Sequence, residues 1–173
     1  MRFWRETGLP VDAFGIDPIW FLENPPKTWV GKLPADRAAL TRITAYVLEL
    51  VLPEWRSARP TDTVPLRAVE AALSNPDGSN DGLKKHAKAL AKACGDSRRR
   101  SLGYEHRIAE AARAIANATA ATSDSVALEA IGEALEKVEE HLLYKLSIDA
   151  VYGKEAEVRE KMLQRAIEAA NHA

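Results

Sequence analysis

A single cysteine, Cys94, in a chain of 173 residues leaves no intramolecular disulfide to form, so packing alone must hold the fold. No apolar run approaches the roughly 20 residues needed to cross a bilayer. The start, MRFWRETG, lacks the continuous apolar stretch of a secretory signal. Together these lead us to expect a soluble, cytoplasmic protein. Chemistry-bearing motifs are equally scarce. There is no Gly-x-Ser-x-Gly elbow and no phosphate-cradling glycine loop, because Asn75-Pro76-Asp77-Gly78-Ser79-Asn80 is a run of turn formers. Carboxylate-bridged metal bundles need Glu-x-x-His on paired helices, and none of His86, His106, His141 or His172 has a glutamate three residues before it. His106 and Glu110 can share a helix face, yet two ligands define no site. His141, beside several glutamates, reads as a surface residue. Cys94, on an apolar face near a helix end, reads as an inert core thiol. The expectation is no catalytic residue, no metal and no cofactor.

Aromatic residues are concentrated at one end. The first 34 residues hold three of the four tryptophans (Trp4, Trp20, Trp29) and all three phenylalanines, together with Pro10, Pro18, Pro25, Pro26 and Pro34. Prolines at that density exclude a long helix. Asp17-Pro18 can cap one short turn, Ile19 to Glu23, and the remainder is expected to be an extended arm. It either packs over the body or offers its aromatics, with Trp55, to a partner.

From Ala35 the period is helical. Leu40, Ile43, Val47 and Leu50 recur at steps of three and four, predicting a helix that ends at Leu52-Pro53. After a connector, Thr63 is a plausible N-cap and Pro65 falls in a first helical turn, with Leu66, Val69 and Leu73 as its buried stripe. A third helix carries Leu83, Ala87, Leu90 and Cys94 and is expected to close at Gly95. Tyr104, Ile108, Ala111, Ile115 and Ala118 mark a fourth, lined by small residues and expected at the centre. Leu128, Ile131, Leu135, Val138 and Leu142 mark a fifth that packs on it. A sixth spans about Lys154 to Asn171, and Ser147 to Gly153 either extends the fifth or forms a short turn. The length fits one domain: an irregular arm over 1–34 and an α-helical unit over 35–173, all-α, arranged as a compact bundle or a short stack of about six helices.

Net charge is nearly zero, but its distribution is bipolar. Between Lys84 and Arg107 eight basic residues face two acidic ones, whereas between Asp124 and His141 six acidic residues face Lys137 alone. Lys84, Lys88 and Lys92 lie four residues apart and lead into Arg98, Arg99 and Arg100, a stripe able to follow a phosphate backbone. No aromatic residue interleaves to stack bases. Glu129, Glu133, Glu136 and Glu140 form the acidic counterpart, which either solubilises its helix or meets a basic partner.

The connector and its helix, LPEWRSARPTDTVPLRAVEAA at 52–72, carry an unusual order: Leu-Pro, an aromatic two residues on, Pro-x-Asp, Pro, then Ala-Val-Glu-Ala. This order resembles a segment of an immunity-protein family from bacterial polymorphic toxin systems, the fifth in common numbering. The likeness continues loosely into EAARAIANATAAT. That family usually has an acidic residue where this chain has Arg56 and a basic one where it has Val64. The resemblance implies an all-helical, non-catalytic protein that neutralises a cognate toxin by occlusion, for which the acidic stripe and the aromatics Trp20, Trp29 and Trp55 are the expected contact. Two other readings stay open: a nucleic-acid-binding or regulatory helical protein using the basic stripe 84–100, and an enzyme whose Glu and His side chains converge from separate helices.

Overall fold

The computed structural model describes residues 18–33, 35–101, 103–146 and 154–171. Proline and short polar side chains set where its helices start. In chain order these are α1 (Pro18–Glu23), a 3-10 turn (Pro26–Gly31), α2 (Arg37–Leu48), α3 (Leu52–Ala58), α4 (Val64–Ser74), α5 (Asp81–Arg100), α6 (His106–Ala120), α7 (Asp124–Leu146) and α8 (Glu155–Asn171). No strand occurs among the described residues, so the all-α expectation holds. Residues 147–153, the segment between the last two expected helices, lie outside the described residues.

Asp36 caps α2, its side chain accepting from the Ala39 N–H at 2.9 Å. The helix then stops at Leu48, earlier than expected, and Leu52-Pro53 opens a helix rather than ending one. A proline in a first turn removes an N–H that has no intrahelical partner anyway, and Glu54 and Arg56 sit at the ends that suit the helix dipole. Among the described residues, region 35–173 therefore has one short helix more than the periodicity predicts. Before α4, the side chain of Thr63 makes no capping bond, and Asp62 instead accepts from the Val64 N–H at 3.1 Å. The deep face of α4 is Pro65, Ala68, Val69 and Ala72; Leu66 and Leu73 flank it half-buried. Small residues take the contact because the surface opposite them, α6, is itself alanine-rich.

Gly95 does not close α5. The small-residue face continues through Cys94, Gly95 and Ser97, and the helix runs on to Arg100. A glycine inside a helix costs about 1 kcal/mol relative to alanine; the Arg113 side chain crosses over it from α6, 3.9 Å from where a Cβ would lie, an ordinary van der Waals distance.

α6 is the centre of the bundle, with Ile108, Ala109, Ala111, Ala112, Ala114, Ile115, Ala116, Ala118 and Thr119 all buried. It packs against α5 on one flank and α7 on another, with α4 and α2 against it as well. Its C-terminal carbonyls are met by one guanidinium: Arg37 Nη2 donates to the carbonyls of Ala118 and Ala121, each at 2.8 Å. A cation suits the negative end of a helix dipole. Gly78 lies against the same point with φ +66°, where an added Cβ would meet the Thr119 carbonyl oxygen at 2.6 Å.

The described half of the arm is part of the core. α1 falls where the short turn Ile19 to Glu23 was expected, whereas Pro26–Gly31 forms a 3-10 turn rather than running extended; they pack on α8 and α7 respectively. Phe21 and Trp29 are buried edge to face, ring centroids 5.3 Å apart, and the Trp29 ring N–H donates to the Asn24 carbonyl at 3.1 Å. The approach is close enough that a Cβ on Gly132 of α7 would stand 2.9 Å from the Lys27 carbonyl oxygen. Arg159 of α8 joins these layers, pairing with Glu139 of α7 at 2.7 Å and donating to the Leu22 carbonyl at 3.0 Å. Burial pushes the Glu139 carboxyl above its ordinary range despite that arginine.

Candidate functional site

Two of the three aromatics expected at a partner surface are core residues. Trp29 and Trp55 are fully buried, and the Trp55 ring N–H donates to the Asp62 carbonyl at 2.7 Å. Neither can touch a partner without opening the fold. A tryptophan read from sequence gives apolar area but not the side it faces, and here the polar connector folds back over Trp55. Trp20 is half-buried, beneath the Lys32 ammonium 5.2 Å from its ring centre.

The ordered residues of 52–72 share a structural task. Asp62, besides capping α4, accepts from the Ser97 hydroxyl at 2.7 Å and so fastens the connector to α5. Pro53 starts α3, Trp55 fills the space beneath the connector, and Pro65 lies in the buried first turn of α4. Arg56 and Ser57 are exposed. This order is thus one that builds an α3–α4 corner.

The acidic stripe divides along α7. Glu140 is drawn into a network with Lys137 at 3.2 Å and Arg107 of α6 at 3.7 Å, and Glu136 meets Lys27 of the 3-10 turn at 3.7 Å. Burial would lower the Lys137 ammonium pKa, but Glu140, Glu110 and Glu136 around it raise it on balance. Glu129 and Glu133 are exposed and make no ion pair among the described residues. They rim a depression of about 400 Å³ between α7 and the 3-10 turn, whose other walls are Lys27, Val30, Leu128, Gly132 and Glu136. Three carboxylates against one ammonium, around a floor with two aliphatic side chains, suit a basic and partly apolar protein surface. Val126, one turn before Glu129, is more than half exposed.

The basic stripe is regrouped. Lys88, Lys92 and Arg99 line a groove of about 650 Å³ between α5 and α6, joined by Lys85, Arg113 and Asn117 over a floor of Ala89, Ala91 and Gly95. Lys84 is half-buried outside it. Arg98 turns to Glu110 at 2.5 Å, Arg100 approaches Asp62 at 3.9 Å, and Arg99 pairs with Asp96. Arg113 went unnoticed in the sequence. It is the second arginine of α6, after Arg107, and it lies opposite Gly95.

His141 is a correction. It is fully buried, with Nε2 2.7 Å from Glu54 Oε2, while Lys145 binds the other oxygen of the same carboxylate at 2.7 Å. Burial would raise the Glu54 carboxyl, but the hydrogen bonds from Lys145 and His141 outweigh it and hold the group below its ordinary range. This triad ties α3 to the end of α7, and Tyr104 stacks on the imidazole at 5.6 Å. A histidine at an α7 position between Val138 and Leu142 on the apolar side could have been placed inside from spacing alone; the adjacent glutamates obscured it.

The pair considered for catalysis does not converge. His106 Nδ1 lies 3.1 Å from the Gly103 carbonyl, whereas Glu110 is held by Arg98 and, at 3.6 Å, by Lys137. The Cys94 thiol is buried and pushed up to about 12, mainly by burial. Among the described residues no group of three or more His, Cys, Asp or Glu side chains could hold a metal, and no helix is long and apolar enough to cross a membrane. No family model, curated protein or solved structure matches the chain.

Proposed function

We propose that this chain is a non-catalytic protein-interaction module, most concretely a toxin-neutralising immunity protein that occludes a basic partner with the exposed face of α7. The observation that carries the reading is the pair Glu129 and Glu133, exposed and making no ion pair among the described residues, beside the aliphatic floor of Val30 and Leu128. Exposed carboxylates steer a cationic partner and fix its orientation, while the apolar floor supplies the burial that charge alone does not. The likeness of residues 52–72 to the immunity family supports the same reading, as an indication of scaffold rather than of contact. Trp29 and Trp55 take no part; of the expected aromatics only Trp20 has surface to offer.

Capture of the tagged protein from lysate of its native host, at low and at moderate salt, with co-purifying protein and nucleic acid both quantified, tests the reading. One protein at near-equal stoichiometry that survives moderate salt is the expected result. Absence of any stoichiometric protein at either salt would overturn it.

A further inference from the structure

We propose that the groove between α5 and α6 is a second, independent binding site, for the phosphodiester backbone of a nucleic acid held without regard to base sequence. Lys85, Lys88, Lys92 and Arg99 occupy one line of α5. At 1.5 Å of rise per residue that line is about 21 Å long. The cations are spread along an axis instead of converging on a point, which suits a repeated anion rather than a single phosphate. α6 closes the other side with Arg113 and Asn117. Among the described residues no carboxylate lines the groove, and Lys85, Lys88, Lys92 and Arg113 make no ion pair, so their charge is available. Ala89, Ala91 and Gly95 keep the floor low, which lets a backbone lie between the two rows.

The same lining sets the selectivity. It contains no aromatic side chain on which a base could stack and one neutral amide, so recognition rests on phosphate charge and spacing. Acidic polypeptides carry charge as well, but on flexible stems with no fixed backbone spacing, and they belong among the alternatives the test must separate. The site is distinct from the acidic face of α7, since α5 and α7 contact different flanks of α6.

The test is fluorescence anisotropy of a labelled mixed-sequence DNA duplex, the matching single strand, and polyglutamate of equal charge, each titrated with the full chain. Binding of either nucleic acid should fall steeply between roughly 50 and 200 mM salt, with a log–log slope of about −3 to −4 for four phosphate contacts. Lys88→Glu with Arg113→Glu should weaken it at least tenfold and flatten the slope, whereas Lys161→Glu, exposed on α8, should leave it unchanged. Circular dichroism and urea midpoints must match wild type for the comparison to count, and Lys88→Ala with Arg113→Ala, expected to weaken binding in the same sense, serves where the reversal perturbs folding. The proposal is overturned if neither nucleic acid binds at the lower salt, if the groove variants bind as wild type does, or if polyglutamate binds as tightly as DNA.

Discussion

Gly78→Ala strikes the point where the turn before α5, the Arg37 guanidinium and the end of α6 meet. At φ +66° an L side chain is strained, by about 1–2 kcal/mol. The new Cβ would also stand 2.6 Å from the Thr119 carbonyl oxygen and 2.9 Å from Arg37 Nη2. Relief requires the guanidinium to withdraw from the Ala118 or the Ala121 carbonyl, both now at 2.8 Å. A hydrogen bond to a charged group contributes about 1.5–3 kcal/mol. Against this, alanine restricts the unfolded chain, which returns about 0.4–1 kcal/mol. The balance is a destabilisation of about 2–4 kcal/mol, read as a lower urea midpoint at unchanged slope. Gly31→Ala is the control, because nothing lies within 4 Å of its Cβ position. Arg37→Ala combined with Gly78→Ala should cost less than the two singly, since both remove the same bonds. A Gly78→Ala protein within about 0.5 kcal/mol of wild type would refute the close approach on which this reasoning depends.

Trp29→Ala should destabilise by about 3–5 kcal/mol and Trp20→Ala by far less, because one indole is buried and the other half-covered; equal urea midpoints for the two would place the arm off the body. Glu54, held low, stabilises the fold above the unfolded carboxyl value of about 4.3 and loses that contribution as pH falls through its folded value. Wild type should therefore exceed Glu54→Gln in urea midpoint near neutrality and converge on it in acid; parallel curves would show that the bonds to His141 and Lys145 add nothing. Cys94 should resist a thiol-disulfide reagent in the native state and react only as fast as the fold opens, whereas rapid labelling at mildly alkaline pH would contradict its burial and its raised pKa.

Periodicity made most of the helices legible because their contacts are made by side chains at regular intervals. Ile108, Ala111, Ile115 and Ala118 placed α6 and its central position, and Ile131, Leu135 and Val138 placed α7 against it. Boundaries were less legible where one residue type serves two ends. Pro53 could stop a helix or start one, and Gly95 could cap a helix or lie inside one. The site was legible only as charge. The glutamate row on α7 and the lysine row on α5 could be read from spacing, but which members stay free depends on partners from elsewhere: Lys27 for Glu136, Arg107 for Glu140, Glu110 for Arg98. The burial of Trp29 and Trp55 is a tertiary fact with no local signature, whereas that of His141 follows from its place between Val138 and Leu142 on the apolar side.

The most direct test of the acidic face is the affinity of the captured protein partner for wild type and for Glu129→Lys with Glu133→Lys, measured by titration calorimetry on proteins of matched stability. Loss of binding by about tenfold or more in the reversed variant is the predicted result, since two like charges would then face a basic surface. Equal affinity for both would contradict the claim that this face of α7 holds the partner.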